Sequence, residues 1–357
     1  MSDLTRDARA EDNEPEELMR RAIAAARSGP LGDPNPRVGA VITDAAGHVV
    51  GVGYHRGSGT PHAEVDALAQ AGEAARGGTA YVTLEPCDHT GRTGPCTRAL
   101  IDAGIARVVY GQDDPNQEAA GGADALQAAG VEVEGGFLLA ECMALNPAWT
   151  VAVTLGRPFV TWKYAASLDG RSAAADGTSQ WLTGPEARAD VHRMRGDCGA
   201  IMIGTGTALA DDPRLTVRDA EGGLADRQPL RVVVGHRDLP QDAHLLDDDA
   251  PTAQLRTHDP HAVLADLHAR GVRHVFLEGG PTLAAAFLRE ELIDLAVAYV
   301  APALLGAGPA AIGDLGIGTL DRAVRHQLLD ARALGSDVRI MLRPMRSHET
   351  EPPGGSP

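Results

Sequence analysis

The spacing of apolar residues predicts short helices and strands throughout the first half of the chain. Leu18, Ala22, Ile23 and Ala26 recur at helical intervals, which predicts an amphipathic helix over 15–27. Strands that alternate with short helices are typical of a layered α/β domain. The predicted order continues with a hairpin of strands over 38–43 and 48–54, a helix from Ala63, a strand over 79–85, a helix from Cys96, a strand over 107–111, a helix over 122–129 and a strand over 131–135.

The second half of the chain shows a second series of the same type. Pro and Gly residues between 147 and 158 indicate a boundary, and the polar segment 236–260 has no assigned element. Strands are predicted over 159–170, 200–205, 230–235, 273–280, 295–302 and 338–344, with helices over 185–195, 261–270 and 281–290. We therefore predict α/β domains over 15–150 and 157–345, between disordered polar tails at 1–14 and 346–357.

Composition and charge narrow the classes of partner. The length of 357 residues suggests two domains, and the formal net charge of −17 argues against a nucleic-acid surface, which must neutralise phosphates. No apolar stretch approaches the roughly 18 residues of a membrane helix, and the acidic N-terminus is unlike a secretory signal. Four cysteines do not make a disulfide framework. We expect a cytoplasmic, soluble protein that binds a small molecule, neither nucleic acid nor a membrane, and that forms a homo-oligomer.

The first domain contains a candidate zinc site. His62 stands at a predicted helix start, Cys87 follows a strand directly, and Cys96 opens the next helix. A catalytic zinc needs three protein ligands and an open position for water, which these side chains satisfy. Glu64 is not needed as a ligand, so it can take a proton from the water and deliver it to a departing amine. The arrangement matches the H-x-E half of the zinc nucleobase deaminase pattern.

The second half of that pattern is altered, because eight residues separate Cys87 from Cys96 instead of two. The insertion either destroys the site or carries substrate-binding groups. His89 and Arg92, on a Gly-rich loop beside the metal, favour substrate binding. A purely structural zinc would need a fourth protein ligand, which His89 or His55 could supply.

These residues resemble a known family, the bifunctional deaminase–reductases of riboflavin biosynthesis. The resemblance rests on HAE at 62–64 and PCDHTGRTGPC at 86–96, where Gly94 replaces the usual Pro. It implies that Asn35, His55 and Arg92 contact a pyrimidine substrate. It also implies that Asp114 and Asn116 contact its ribose phosphate.

The resemblance continues through the second domain and covers residues 15–345 in total. KYAASLDG at 163–170, LADDP at 209–213, LTVR at 215–218 and LEGG at 277–280 carry it. It implies a fold like dihydrofolate reductase after a cytidine-deaminase-like α/β/α domain, with zinc and NADPH as cofactors. The implied substrate-binding residues of the reductase are Ser179, Arg195, Leu215, Arg218 and Glu278. The implied cofactor-binding residues are Lys163, Ala165, Trp181, Thr207, Asp211, Gly280, Pro281 and Thr282.

Residue chemistry in the second domain agrees with a phosphorylated substrate and a nucleotide cofactor. The run at 204–207 is a weak Rossmann pattern, because it lacks a third glycine and, by prediction, a following helix. The run at 279–282 leaves a strand and starts a helix, where backbone N–H groups could hold a phosphate. Arg195 and Arg218 suit a substrate phosphate. Lys163 or Asp211 could serve the proton step, and the residues alone do not choose between them.

The sequence thus predicts a two-step enzyme, a zinc-dependent deaminase followed by an NADPH-dependent reductase. The resemblance implies deamination of 2,5-diamino-6-ribosylamino-4(3H)-pyrimidinone 5′-phosphate and then reduction of its ribosyl group to a ribityl chain. One alternative is a nucleoside or tRNA deaminase fused to an unrelated reductase. Another is a metal-stabilised binding module without turnover.

Overall fold

A computed structural model of the protein describes residues 14–89, 94–116, 119–218 and 222–345. By its internal contacts the chain divides into two compact units, Met1–Leu155 and Gly156–Pro357. The predicted tails at 1–14 and 346–357 lie outside the described residues, except for Glu14, which occupies the N-cap position of the first helix.

The first unit is built from short helices and strands in the order that the apolar pattern predicts. Its first helix begins at Pro15, where the missing N–H of proline costs no hydrogen bond, and its acidic first turn suits the helix dipole. The helices are α1 (Pro15–Ala26), α2 (Ala63–Ala71), α3 (Cys96–Asp102), α4 (Gly122–Ala128), α5 (Leu139–Met143) and α6 (Pro147–Leu155). The strands are β1 (Gly39–Thr43), β2 (Val49–Tyr54), β3 (Thr79–Leu84), β4 (Arg107–Gln112) and β5 (Glu132–Glu134), and a 3-10 turn covers Gly72–Ala75.

The strands of this unit form one sheet in the order β2-β1-β3-β4-β5. Strand β1 is antiparallel to β2 and β3, and β3, β4 and β5 are parallel. Alternation along β1 directs Ala40 and Ile42 to the face covered by α2, α3 and α4, and Val41 to the face covered by α1. The unit is therefore a three-layer α/β/α domain, which confirms the predicted deaminase-like fold.

The second unit contains a larger sheet with helices on both faces. Its helices are α7 (Pro185–Gly196), α8 (Thr205–Asp211), α9 (Pro260–Ala269) and α10 (Pro281–Arg289), with 3-10 turns at His244–Leu246 and Leu320–Arg322. Its strands are β6 (Phe159–Ser167), β7 (Ala200–Gly204), β8 (Leu230–Val234), β9 (Thr252–Leu255), β10 (His274–Leu277), β11 (Leu295–Ala301), β12 (His326–Leu334) and β13 (Asp337–Pro344).

The strand order in this sheet is β12-β13-β11-β6-β10-β7-β8-β9. The strands from β11 to β9 are parallel, and β13 runs antiparallel to both β11 and β12. Apolar residues of α9 and α10 pack on one face, around Val160 and Leu277, and α7 packs on the other, around Phe276 and Tyr299. The carboxyl ends of the parallel strands meet at one edge, where the second candidate site lies.

The structure corrects several expectations about the elements. The boundary that we expected between 147 and 158 lies between Leu155 and Gly156, and the segment from Pro147 to Leu155 is helix α6 of the first unit. We expected no helix after the run at 204–207, but α8 begins within this run, at Thr205. Strand β9 occupies part of the unassigned segment 236–260, and α5 and β12 were not predicted.

Candidate active sites

The three predicted zinc ligands lie together in the first unit. His62 precedes α2, Cys87 follows β3 after two further residues, and Cys96 is the first residue of α3. The Nδ1 atom of His62 lies 3.2 Å from Sγ of Cys96 and 3.5 Å from Sγ of Cys87. Tetrahedral zinc ligands at about 2.0–2.3 Å lie roughly 3.3–3.8 Å apart, so the donors fit the ion in type and in spacing.

The electrostatics of this group also favour a cation. Contact with Cys96, and then with His62, lowers the pKa of Cys87 to about 4, whereas the contact with Cys87 raises the pKa of Cys96. The pair thus holds one thiolate easily and the second only with added positive charge, which a divalent ion provides. Glu64 is 3% exposed, and burial, followed by the charge of Cys87, raises the pKa of its carboxyl group. A carboxyl group that is protonated more easily than usual suits a proton carrier.

A cavity of about 440 Å³ opens beside the metal group. It brings together most of the residues that the sequence predicted for the deaminase. Arg92 lies outside the described residues, and Cys96 is not part of the cavity lining. The predicted residues that line the cavity are Asn35, His55, His62, Glu64, Cys87, His89, Asp114 and Asn116.

His55 connects the metal group to the predicted pyrimidine-binding segment. Its Nε2 lies 3.2 Å from the amide nitrogen of Asn35, and its Nδ1 lies 3.0 Å from the carbonyl oxygen of Pro61. Its ring meets that of His62 edge-on, with centroids 5.4 Å apart. Both ring nitrogens therefore have other partners, which argues against His55 as a fourth ligand. Among the described residues, the metal group contains His62, Cys87 and Cys96 alone.

The predicted ribose-phosphate residues lie on the turn after β4. The N–H of Asn116 donates to Oδ1 of Asp114 at 2.8 Å, and the N–H of Asp114 donates to Glu85 at 3.1 Å. Glu85 also accepts from the N–H of Ala123 at 3.0 Å and so ties the turn to α4. Burial raises the pKa of Asp114 to about 6, so this carboxyl group is partly neutral near pH 6.

Glu85 and Trp149 are among the lining residues of this cavity that the sequence analysis missed. Glu85 follows a buried strand directly, and a buried acid at a strand end is a signal that could have found it. Trp149 stood in the segment that we interpreted as a boundary. Its signal was the rarity of aromatic residues, which make up only 3% of the chain.

A second cavity, of about 580 Å³, lies in the second unit. It brings together predicted substrate-binding and cofactor-binding residues from β6, α7, α8 and the end of β10. Trp181 is 71% exposed, and the guanidinium of Arg188 lies 4.6 Å from its ring centroid. The predicted residues that line the cavity are Lys163, Ala165, Ser179, Trp181, Arg195, Asp211 and Glu278.

Glu278 is the centre of the charges in the second cavity. Its carboxylate accepts from Nε of Arg195 at 2.5 Å and from Nη2 at 3.0 Å, and it lies 3.9 Å from Nζ of Lys163. Burial raises the pKa of Glu278, but the charges of Arg195, Lys163 and His192 together outweigh it, and the net pKa is below the usual value. Burial lowers the pKa of Lys163. Burial raises the pKa of Asp211, which favours its protonated form.

The remaining predicted residues of the reductase lie outside the lining of this cavity. The N–H of Gly280 donates to the hydroxyl of Thr207 at 3.2 Å, which joins the starts of α8 and α10, where Pro281 and Thr282 follow. Leu215 is buried, with a φ of +48° that is rare outside glycine. Arg218 is exposed and donates to the carbonyl of Gly222 at 2.8 Å.

Arg188 and His192 are among the lining residues of this cavity that the sequence analysis missed. Both lie on α7, at helical spacing from Arg195, and the recurrence of basic residues along one helix could have revealed them. Burial, and then the charge of Arg195, lowers the pKa of His192. The ring is therefore mostly neutral at neutral pH.

Two family models match the chain, one for each unit. The cytidine and deoxycytidylate deaminase zinc-binding region matches residues 12–112, and the RibD C-terminal domain matches residues 158–340. The riboflavin biosynthesis protein RibD of Mycobacterium tuberculosis is 51% identical over 311 residues, which cover 87% of this chain and 91% of that protein. RibD of Escherichia coli is 40% identical, over 92% of this chain and 98% of that protein.

Solved structures give the same result. Acinetobacter baumannii RibD matches with a TM-score of 0.86 at 40% identity, over 93% of this chain and 99% of that one. A Thermotoga maritima protein described as a diaminohydroxyphosphoribosylaminopyrimidine deaminase/5-amino-6-(5-phosphoribosylamino)uracil reductase matches with a TM-score of 0.81 at 32% identity, over 93% and 99% of the two chains.

These matches confirm the family resemblance, the bifunctional deaminase and reductase activities, and the two cofactors, zinc and NADPH. Among the described residues, every helix is too short or too polar to cross a membrane. The chain belongs to the RibD family of riboflavin biosynthesis enzymes, in which a zinc-binding deaminase domain precedes a reductase domain.

Proposed function

We propose that the first unit deaminates 2,5-diamino-6-ribosylamino-4(3H)-pyrimidinone 5′-phosphate. The second unit then reduces the ribosyl group of the product, which gives 5-amino-6-ribitylamino-uracil 5′-phosphate. The observation that carries the proposal is the grouping of His62, Cys87 and Cys96, three donors that fit zinc, beside a cavity lined by His62, Cys87 and the buried Glu64. The name of the Thermotoga maritima relative supports both reactions.

In the deaminase step, the side chains of the first cavity bind the pyrimidine and move its protons. His62, Cys87 and Cys96 would hold a zinc ion, which would supply a Lewis acid that makes water nucleophilic near neutral pH. Glu64 accepts a proton from the attacking water and returns it to the departing amine, which leaves as ammonia. The remaining residues bind substrate: Asn35, His55, His89 and Arg92 contact the pyrimidine, and Asp114 and Asn116 contact the ribose phosphate.

In the reductase step, the second cavity orients the ring-opened ribosylamine. NADPH would supply the hydride for C1′ when bound, and the protein must supply a proton to the nitrogen. Asp211 fits this role better than Lys163, because Lys163 lies beside the carboxylate of Glu278, whereas burial makes Asp211 easier to protonate. The substrate-binding residues are Ser179, Arg195, Leu215, Arg218 and Glu278. The cofactor-binding residues are Lys163, Ala165, Trp181, Thr207, Asp211, Gly280, Pro281 and Thr282.

Replacement of Glu64 by Gln tests the deaminase. The amide cannot carry the proton, so we expect ammonia release to fall by at least about a hundredfold. Bound zinc stays at the wild-type level, because Glu64 is not among the three grouped donors. Ammonia release and zinc content are measured on the same preparation. Equal ammonia release by Glu64→Gln and wild type would point to a binding module without turnover, and activity on cytidine or adenosine alone would point to a different deaminase.

The homo-oligomer remains a proposal with support in the second unit. The edge strand β12 exposes Leu328 at 60% and Leu329 at 50%, and Leu320 nearby in the chain is 81% exposed. Apolar side chains on an unpaired edge strand favour association with another chain. Light scattering should show a mass above that of one chain, and Leu328→Glu should lower it.

A cytoplasmic location is also proposed. The described cysteines are all free thiols, and two of them are grouped as metal ligands. Thiols in this state suit a reducing compartment. Fractionation of the source cells would check the location.

A further inference from the structure

Trp149 is the large aromatic side chain of the first cavity. It lies on α6, is partly buried and lines the same space as Glu64 and Asp114. Among the described residues, the apolar clusters of the first unit do not include it. The indole therefore contributes to the cavity wall and not to the core of the unit.

The helix that carries Trp149 is fixed to the substrate-binding segment. The side-chain amide of Asn146, just before α6, accepts from the N–H of Arg37 at 2.8 Å and donates to its carbonyl oxygen at 2.8 Å. Nη2 of Arg37 also donates to the carbonyl of Leu145 at 2.5 Å. These bonds hold the start of α6 beside the chain segment of Asn35. The position of the Trp149 indole relative to the side chain of Asn35 is therefore fixed.

A second attachment fixes α6 to the other end of the cavity. Nε2 of Gln112 donates to the hydroxyl of Thr150, the residue after Trp149, at 3.2 Å. Gln112 is the last residue of β4, and the turn with Asp114 follows directly. Trp149 is thus held between the segment of Asn35, for which we propose pyrimidine contacts, and the turn of Asp114, for which we propose ribose-phosphate contacts.

We propose that Trp149 is a substrate-positioning residue of the deaminase, whose indole is the wall against which the bound pyrimidine nucleotide packs. This inference rests on the proposed function of the first cavity. A flat indole offers a large apolar face at little cost in conformational entropy, and a pyrimidine ring packs well on such a face. The packing orients the ring in front of Glu64 and the metal group without taking part in proton transfer.

Kinetics of three variants test the proposal. For Trp149→Ala we expect kcat/KM of ammonia release to fall roughly tenfold to a hundredfold, mainly through KM, from the loss of stacking. Trp149→Phe keeps an aromatic face and should stay within about threefold of wild type. The matched control is Leu155→Ala on the same helix, which is 48% exposed, does not line the cavity and should leave kinetics unchanged.

Fluorescence gives an independent readout that a purely structural role would not produce. Binding of the pyrimidine phosphate to Glu64→Gln, which turns over slowly, should quench tryptophan emission, and the quench should disappear in Glu64→Gln/Trp149→Phe. A quench that persists without Trp149 would overturn the proposal. So would a kcat/KM in Trp149→Ala within twofold of wild type.

Two further measurements keep the result decisive. Zinc content is determined for every variant, and if Trp149→Ala has lost zinc, Trp149→Leu replaces it, since leucine keeps an apolar side chain without the aromatic face. Wild-type KM in a zinc-loaded Trp149→Leu would count against stacking. If the wild type released no ammonia, the proposed function itself would be contradicted. If the wild type and Trp149→Leu were equally active, only the proposed role of Trp149 would be contradicted.

Discussion

At the scale of single residues, the carboxylate of Glu278 neutralises two neighbouring cations, Arg195 and Lys163, in one cavity. Its carboxylate makes two hydrogen bonds to Arg195 and lies 3.9 Å from Lys163. Removal of the shared anion leaves two positive charges close together on side chains that are mostly buried. A partly buried pair of this kind contributes little net stability when intact, but its disruption is costly.

We predict that Glu278→Gln lowers the free energy of unfolding of the second unit by about 3 kcal/mol. It should also abolish reduction while ammonia release continues. The matched control is Asp266→Asn, which breaks the exposed pair with Arg270 and should cost less than about 1 kcal/mol. Urea unfolding and separate assays of the two reactions measure the effects. Equal destabilisation by the two variants would contradict the argument.

His274 makes the second unit sensitive to acid. Its Nε2 lies 2.8 Å from the hydroxyl of Thr161, and burial lowers its pKa to about 4 from the usual 6.5. Because the folded-state pKa is the lower one, the unfolded chain takes up a proton first. Stability is therefore complete above pH 6.5 and falls by up to about 3 kcal/mol as the pH drops to 4.

His274→Gln should remove most of this pH dependence. The wild-type unfolding midpoint in urea, followed by emission of the buried Trp162, should fall steadily from pH 6.5 to 4. The variant has no imidazole to titrate, so its midpoint should change much less over the same range. A parallel decline in both proteins would show that other groups control acid stability.

At the scale of elements, the position of α2 depends on the absence of a side chain at Gly53. A Cβ atom there would lie 2.4 Å from the carbonyl oxygen of Ala63 and 2.4 Å from the nitrogen of Ala67. Both atoms are backbone, so the helix would have to move. His62 directly precedes this helix, and Glu64 lies in its first turn.

We predict that Gly53→Ala displaces the start of α2, lowers zinc retention and lowers ammonia release. The strain should also cost about 1–3 kcal/mol of stability in the first unit. The control is Gly94→Ala, where an added Cβ meets nothing within 4 Å. Zinc per protein after dialysis is the measurement. Full zinc retention in Gly53→Ala would show that the helix can shift without moving His62.

The elements that the sequence predicted well are those with a buried apolar stripe, such as α1 and β1. The missed elements lack that signal. Helix α6 buries only Ala152 and begins at a proline that resembled linker punctuation, although proline suits a first helical position. Helix α8 is short and contains Gly206, and most of β12 is exposed. Such segments are stabilised by packing on neighbouring elements, and the local pattern of apolar residues does not show this packing.

The same distinction applies to the residues of the first site. His62, Glu64 and Cys87 stand in short motifs whose chemistry is visible from spacing alone, and the structure brings the metal group together as expected. Trp149 enters its cavity only because Asn146 and Gln112 fix a distant helix beside it. Such residues have no local motif, so only the folded chain identifies them.

At the scale of the whole molecule, the two reactions have separate cavities. The described lining of the first cavity comes entirely from the first unit, and that of the second comes entirely from the second unit. Each reaction can therefore be inactivated by a substitution in its own unit. Nothing in either lining requires both active sites to belong to the same chain.

We predict that two inactive variants complement each other in solution. Glu64→Gln alone should accumulate no product, and Asp211→Asn alone should stop at the deaminated intermediate. A mixture of the two should form the ribityl product after a lag, and the lag should shorten as protein concentration rises, because the intermediate crosses the solution between molecules. Chromatography of the pyrimidines over time measures this. A mixture that stops at the intermediate, while wild type completes the conversion, would show that the intermediate passes only within one molecule.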